Sequence, residues 1–129
     1  MVCIVPGMKL LYHSLFFAVL LIDWLPVSIM AQTATVIADT DAAKHIGEKV
    51  TVEGVVAEVF THGRNFFIDL GSPYPHQSIT GWIPENSELA DESRFNDLEG
   101  KKIKMTGTIE LYKGKPEIKL MSKDQFILE

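Results

Sequence analysis

Two aromatic residues stand where a half-buried strand would ordinarily carry polar side chains. Phe67 lies in residues 65–70 and Trp82 in residues 77–83, and the alternation of apolar residues in both segments predicts that these two rings face outward. Tyr112 lies in a predicted turn that follows a later apolar alternation. A nucleic-acid base that stacks on an aromatic side chain contributes about 1–3 kcal/mol to binding. The spacing therefore predicts a stacking surface built from two neighbouring strands and a hairpin.

The same aromatic residues also have a purely structural interpretation. Phe67 and Trp82 could instead pack beneath the loop at residues 71–75, and Tyr112 could pack within its own hairpin. A shift of one residue in the strand pattern would also exchange Phe66 for Phe67 on the outward face. The sequence leaves these alternatives open.

Positive charge is concentrated in one part of the chain. Residues 101–123 contain seven lysines and two acidic residues, whereas residues 32–100 contain four basic and twelve acidic residues. Lysine and arginine side chains neutralise phosphates in nucleic-acid complexes. The residues that we expect to contact phosphates are Arg64, Lys102, Lys104, Lys113, Lys115 and Lys119. The alternative is a solvated sheet face on which lysines protect exposed edges, and the net charge of −5 argues against a protein dedicated to coating DNA.

The sequence contains few residues arranged for catalysis or metal binding. His62, His76 and Asp69 form the one conceivable ligand set, but thirteen residues separate the two histidines and no short metal-binding motif is present. The chain also lacks a recognisable nucleophile–base pair, a glycine-rich phosphate loop and paired catalytic carboxylates. We therefore expect a non-catalytic binding protein without a metal or another cofactor.

Alternating apolar residues predict that β-strands position these side chains. Five strands are predicted, at residues 49–61, 65–70, 77–83, 101–111 and 116–121. A short helix is predicted at residues 34–47. An acidic helix with a buried apolar side is predicted at residues 86–98, between the third and fourth strands. The inward apolar phase of the first strand changes from Val52 to Val55 across Gly54, which predicts a bend or bulge at that glycine.

The first and fourth predicted strands share a pattern of glycine and apolar residues. Gly47 and Gly100 are each followed by apolar residues at the third and fifth positions, by a glycine at the seventh and by an apolar residue at the ninth. Two long strands that bend at Gly54 and Gly107 are typical of a small closed barrel.

The first thirty residues have the features of a secretory leader. Residues 14–22 carry no charge and are mostly apolar, Lys9 precedes them, and small residues follow at Ala31 and Ala34. We expect residues 1–31 to be a signal peptide that is cleaved after Ala31, with Ala34 as the other candidate site. The sequence therefore predicts an exported protein, periplasmic or secreted.

Two further expectations concern the ends of this leader. Met8 is the better start, which would make residues 1–7 an upstream extension. A retained anchor is the open alternative, but Asp23 interrupts the apolar run short of the roughly 20 residues that a membrane span needs. Residues 32–129 contain no cysteine and are enough for one small domain, for which we expect no stable membrane insertion after cleavage.

The order of the elements and several segments resemble the OB fold. Residues 45–56 (HIGEKVTVEGVV) resemble its first strand, residues 98–109 (LEGKKIKMTGTI) its fourth, and residues 111–118 (LYKGKPEI) the hairpin into its fifth. The chain is similar to small exported bacterial proteins that carry an OB domain of the nucleic-acid-binding, tRNA-anticodon-like type. The resemblance spans residues 40–126.

The resemblance implies both a fold and a class of ligand. The fold is all-β, a five-stranded OB-fold barrel at residues 32–129 with a short N-terminal helix and a helix between the third and fourth strands. The ligand is single-stranded DNA or RNA, or a similar polyanion, bound by aromatic stacking and lysine contacts. Because OB barrels also bind other ligands, the alternative partner is an oligosaccharide, a small molecule or an envelope protein.

Overall fold

Seven β-strands form the framework of the residues that the computed structural model describes, which are 34–91, 93 and 95–129. The strands are β1 Thr35–Ala38, β2 Lys49–His62, β3 Asn65–Leu70, β4 Ile79–Ile83, β5 Lys102–Tyr112, β6 Lys115–Lys119 and β7 Phe126–Leu128. Short 3₁₀ helices lie at Asp39–Lys44 and Lys123–Gln125. The predicted leader, residues 1–31, lies outside the described residues.

Five of these strands form a closed ring. β2 pairs antiparallel with β3, and β3 pairs antiparallel with β4. β4 then pairs parallel with β6, β6 pairs antiparallel with β5, and β5 pairs antiparallel with the first half of β2. β1 extends this sheet from β2, and β7 extends it from β5. The ring strands correspond to the five strands predicted from the sequence, so the predicted all-β barrel is confirmed.

Alternate side chains of the ring strands fill its interior. Val52, Ile68, Ile103, Met105 and Ile118 are completely buried. Because side chains along a strand alternate between its two faces, the remaining residues of β3, β4 and β6 lie together on one outward surface. The core thus fixes which residues a ligand on that surface would meet.

The phase change in β2 comes at Ala57, not at Gly54 as the sequence predicted. Val56 stays in phase with the buried residues before it, whereas Val55, which we expected to face inward, is 49% exposed. The register with β3 shifts at Ala57, where β2 carries an extra residue. Gly54 instead permits a close approach, because a Cβ atom there would lie 2.9 Å from the Cβ of Asp39.

The predicted N-terminal helix is shorter than expected. Thr35–Ala38 forms a strand that pairs with β2, and only Asp39–Lys44 is helical, in the 3₁₀ form. The physical reason lies in Thr35, Val36 and Ile37. These are three consecutive β-branched residues, and such residues favour an extended backbone.

The prediction of an acidic helix at residues 86–98 was wrong for the residues that are described there, which lie in turns and bends with a 3₁₀ conformation at Ser93. Ser87 Oγ accepts a hydrogen bond from the backbone N–H of Leu89 at 3.1 Å, and Asp97 has a φ of 64°. Short polar side chains of this kind compete with a helix for backbone groups. Leu89 and Leu98 are nevertheless buried, as the apolar pattern predicts. The prediction of their burial was therefore right, and the prediction of a helical backbone was wrong.

Candidate ligand-binding face

The outward surface of the ring carries a row of aromatic side chains. Strand register places Phe60 of β2 opposite Phe67 of β3, and Phe67 opposite Trp82 of β4. The Phe60 and Phe67 rings are stacked, with centroids 5.0 Å apart and planes 11° apart. Next in the row, Lys119 of β6 holds its Nζ 5.1 Å from the centroid of the Trp82 ring. We call Phe60, Phe67 and Trp82 the aromatic row.

Local contacts fix the orientation of this row. Phe67 faces outward, as the sequence predicted, while Phe66 faces the core. The indole Nε1–H of Trp82 donates a hydrogen bond to Asn65 Oδ1 at 3.2 Å, which holds that ring over β3. Because Phe60 and Phe67 stack on each other, a ligand would meet their outer edges together with the Trp82 ring.

A second row, next to the first, is acidic. Register places Glu58, Asp69, Thr80, Glu117 and Glu110 side by side across β2, β3, β4, β6 and β5. We call its four carboxylate residues the acidic row. Like charges directly opposite each other on neighbouring strands are unfavourable. The row contains two such pairs, Glu58 with Asp69 and Glu117 with Glu110.

Two carboxyl groups of the acidic row bind their protons more tightly than exposed acids do. Burial raises the pKa of Asp69 and the charge of Glu58 raises it further, although a hydrogen bond that Thr80 donates acts in the opposite direction. Burial also raises the pKa of Glu117, with a smaller contribution from Glu110. Asp69 is 0% exposed, which agrees with burial as the main cause.

The β5–β6 hairpin stands beside both rows. Its two-residue loop consists of Lys113 and Gly114, which have φ values of 49° and 78°, as a type I′ turn requires. Lys113 Nζ lies 5.4 Å from the centroid of the Tyr112 ring. Lys115 Nζ donates a hydrogen bond to the backbone oxygen of Pro75 at 2.8 Å, so the hairpin is tied to the β3–β4 loop.

A cavity of about 160 Å³ lies between the hairpin and the β3–β4 loop. We call it the hairpin pocket. Its walls include Tyr74, Gln77, Thr80, Tyr112, Lys113 and Glu117. Tyr74 and Tyr112 are 66% and 57% exposed, more than any other described aromatic residue near the candidate face.

Buried acceptor atoms line or adjoin this pocket. Gln77 Nε2 donates to Thr80 Oγ1 at 3.2 Å, and Thr80 Oγ1 donates to Asp69 Oδ1 at 2.6 Å. This chain fixes the direction of the Gln77 amide. Gln77 Oε1 is buried and has no hydrogen-bond partner in the described part of the chain, whereas the Asp69 carboxyl also interacts with the backbone N–H of Tyr74. A buried amide oxygen ordinarily finds a donor.

The structure places the predicted site residues in three groups. The first comprises Phe67, Trp82 and Lys119 in the row, and the second comprises Tyr112, Lys113 and Lys115 at the hairpin. Arg64 stands apart in the β2–β3 turn, where its side chain is 85% exposed and lies 3.8 Å from Glu85.

Lys102 and Lys104 form the third group, on the surface of β2, β5 and β7. Lys102 Nζ lies 2.5 Å from a carboxylate oxygen of Glu53, and Lys104 Nζ lies 2.5 Å from one of Glu129. Longer contacts, of 3.6 and 3.7 Å, complete a network of four charges. The hydrogen bond to Glu53 raises the pKa of Lys102, and the hydrogen bond to Glu129 raises that of Lys104. Two of the lysines that the sequence predicts to contact phosphates are therefore already paired with carboxylates.

Sequence reasoning missed Phe60, Tyr74, Gln77 and the acidic row. The signal for Phe60 was present, because a phase change at either Gly54 or Ala57 turns Phe60 outward, but the sequence analysis considered outward aromatic residues only on the second and third predicted strands. Tyr74 lies between two prolines in a segment that we treated only as a loop. The acidic row depends on register between strands that are distant in the sequence, and no local pattern reports that register.

Neither a metal cluster nor a membrane-spanning helix is found in the described ranges. No group of three or more His, Cys, Asp or Glu residues there is arranged to hold a metal ion. No helix there is long and apolar enough to cross a membrane.

Comparison with known proteins finds similarity in structure alone. No protein-family model matches the sequence, and no curated protein matches it either. OBody AM1L10 bound to hen egg-white lysozyme is similar over 78% of this chain and 98% of its own, with a TM-score of 0.56 and 16% identity. A chain assigned as an aspartyl-tRNA synthetase of Leishmania major Friedlin is similar over 81% of this chain and 22% of its own, with a TM-score of 0.52 and 10% identity.

This chain has the OB fold. The closed ring of strands and its likeness to OB-fold structures agree on this point. At such low identity the similarity establishes the fold and nothing about the ligand.

Proposed function

We propose that this chain is a non-catalytic, exported OB-fold protein that binds a short single-stranded nucleic acid on the outward surface of β3, β4 and β6. The observation that carries the proposal is the aromatic row with Lys119 at its end. OB folds bind oligonucleotides on this part of the barrel, between the loops that correspond here to the β2–β3 turn and the β5–β6 hairpin. Stacking on aromatic rings supplies the affinity without strict sequence preference.

The charges on this surface limit how a strand can lie. Phosphates would be repelled by the acidic row, so the bases face the sheet and the backbone runs along the lysines. Lys113, Lys115 and Lys119 lie at the hairpin or beside Trp82 and can reach phosphates. Lys102 and Lys104 are left out of the proposal, because two carboxylates already neutralise them.

The proposal of export rests on the leader-like residues at the start of the chain. A fusion of residues 1–34 to a reporter enzyme that is active only outside the cytoplasm tests it. Activity of the fusion, and loss of that activity when Leu20 and Leu21 are replaced by arginine, are the expected results. An inactive fusion would overturn the proposal of export without affecting the binding proposal.

The first test is the affinity of the purified protein for labelled oligonucleotides, measured by fluorescence anisotropy at two salt concentrations. For contacts to three phosphates, the logarithm of the binding constant should fall against the logarithm of the salt concentration with a slope of about −2. This corresponds to roughly a 20-fold loss of affinity between 50 and 200 mM salt. Replacing Lys113 and Lys115 by glutamine is expected to flatten this slope by about 1.4. The matched control is the same replacement of Lys102 and Lys104, which should leave the slope unchanged. Absence of binding even at low salt would overturn the proposal.

A protein partner is the second candidate, and the acidic row favours it. A surface with apolar rings beside carboxylates suits a partner that presents basic and apolar residues. The OBody, which has the same fold, was found bound to a protein, lysozyme. Retention of one partner protein on the immobilised chain at high salt, together with no binding of oligonucleotides, would favour this candidate.

A further inference from the structure

We infer that the hairpin pocket holds one base of the bound strand and prefers guanine. This inference rests on the proposed function and adds a specificity to it. The pocket lies at the end of the candidate face, beside the lysines of the hairpin. Its volume of about 160 Å³ suits a planar base better than a whole nucleotide.

The mouth of the pocket offers aromatic surface to such a base. Tyr74 comes from the β3–β4 loop and Tyr112 from the end of β5, and both rings are more than half exposed. Bases that are turned out of a single strand commonly stack on aromatic rings while their edges are hydrogen-bonded. The Lys115 side chain donates a hydrogen bond to the backbone oxygen of Pro75 and so links the β5–β6 hairpin to the β3–β4 loop. This contact positions the Tyr74 and Tyr112 rings before a ligand binds.

Two acceptor groups border the pocket, the Gln77 amide oxygen and the Glu117 carboxylate. The Gln77 side chain is 8% exposed, its amide nitrogen is committed to Thr80, and its Oε1 is buried without a partner in the described chain. Glu117 also lines the pocket, and no lysine or arginine among the described residues forms an ion pair with it. Because Gln77 Oε1 is fully buried, Glu117 is the acceptor that a ligand in the pocket can reach. Its two carboxylate oxygens can together accept two neighbouring N–H donors.

Guanine carries such a pair on its Watson–Crick edge, where the ring N1–H and the 2-amino group lie side by side. Adenine and cytosine place an amino group next to an acceptor, and thymine places its N–H between two carbonyl oxygens. A carboxylate that faces those acceptors would be repelled by them. The acceptors of the pocket therefore select guanine among the four bases.

The surrounding charges argue against other occupants of the pocket. A phosphate would lie against Glu117 and close to Asp69. A basic side chain would be repelled by Lys113 and Lys115, which also line the pocket. A neutral base inside, with its phosphates outside on those lysines, agrees with both sets of charges.

The test compares short labelled oligothymidylates in which one central residue is thymidine, deoxyguanosine, deoxyinosine, deoxyadenosine or deoxycytidine. We expect the guanine oligonucleotide to bind about fivefold or more tightly than the all-thymidine one, as for a good two-bond contact to a base edge. Inosine, which keeps N1–H but lacks the 2-amino group, is expected to fall between them. Equal affinity for all five would overturn the inference and leave the proposed function intact.

Two matched variants tie this preference to the pocket. Glu117→Gln is expected to remove most of the guanine preference, measured within the variant as the ratio of its affinities for the guanine and all-thymidine strands. Glu110→Gln removes the neighbouring carboxylate in the same row, which does not line the pocket, and should keep the preference. A preference that survives Glu117→Gln would overturn the assignment to this pocket. Failure to bind any oligonucleotide would overturn the proposed function, and the inference with it.

Discussion

Two outward surfaces of the same ring use similar residues in opposite ways. On the surface of β2, β5 and β7, Lys102 and Lys104 alternate with Glu53 and Glu129, so every charge of the network has an opposite neighbour. On the surface of β3, β4 and β6, the carboxylates of the acidic row are neighbours of one another. The lysines of that surface stand at the hairpin and beside Trp82 instead.

This difference indicates which surface serves the fold and which serves a ligand. Ion pairs on an exposed surface contribute modestly to stability, and their charges need no ligand to neutralise them. Opposed like charges and a buried acceptor without a donor reduce stability. Sequences tolerate such features mainly at functional sites. The β3–β4–β6 surface combines both with a row of aromatic rings, whereas the charge network of Lys102, Lys104, Glu53 and Glu129 on the other surface has neither.

The largest effect is expected from removing the aromatic row. Replacing Phe67 and Trp82 by alanine should weaken oligonucleotide binding by roughly 30-fold or more, because two stacked bases at about 1–3 kcal/mol each contribute about 2–6 kcal/mol together. The matched control replaces Val55 and Ile127, two exposed apolar residues on the other surface, by alanine. That variant should bind like the wild type. An unchanged affinity in the Phe67 and Trp82 variant, with thermal unfolding showing that it is folded, would contradict the proposed site.

A smaller effect of opposite sign is expected from neutralising the acidic row. Replacing Glu58 and Glu110 by glutamine should strengthen oligonucleotide binding about two- to fivefold, since exposed charge interactions are worth up to about 1 kcal/mol each. Binding isotherms of the variant and the wild type at one salt concentration measure the change. Weaker binding would show that these carboxylates contact the ligand directly.

The comparison variant for this experiment is Glu53→Gln on the other surface. It releases Lys102 and Lys104 from one of their two carboxylates. No change in affinity is expected if those lysines lie outside the site. An increase would restore them to the interface, as the sequence alone had predicted.

The sequence predicted the strands of this barrel well, since apolar and polar residues alternate over most of their length. The bounds of β3 agreed with the structure, and the outward position of Phe67 and Trp82 followed from parity alone. Turn chemistry likewise located the hairpin, because Lys113 and Gly114 can adopt the positive φ values that a two-residue loop needs.

The parts that failed depend on contacts between distant residues. The bulge at Ala57 leaves no glycine to mark it, and Gly54 is required for room beside Asp39 rather than for a bend. The segment 86–98 has apolar residues that are buried in either a helix or a series of turns, so burial could not distinguish the two. The pairing of Lys102 with Glu53 depends on the register of β2 against β5. Because the two residues lie far apart along the chain, no local sequence pattern reports that register.

The smallest effect concerns the pH dependence of stability, which should have opposite signs on the two surfaces. The pKa of Asp69 is raised above its ordinary value of 3.8, so the stability it contributes is present below that pH and is lost as the pH rises through its folded pKa. The pKa of Glu129 is lowered below 4.5, mainly by its hydrogen bond with Lys104, so its contribution is present above pH 4.5 and is lost on acidification through its folded pKa.

Asp69→Asn is therefore expected to raise the free energy of unfolding at neutral pH, and Glu129→Gln to lower it, with both differences shrinking as the pH falls below about 4. Asparagine still accepts the Thr80 hydrogen bond through its Oδ1, so the substitution changes mainly the charge. Urea unfolding of the two variants and the wild type across this pH range measures both differences. If both variants shifted stability in the same direction, the two surfaces would not differ in the way that their charge arrangement indicates. The distinction between a balanced surface and a ligand-binding one would then have to rest on the aromatic row alone.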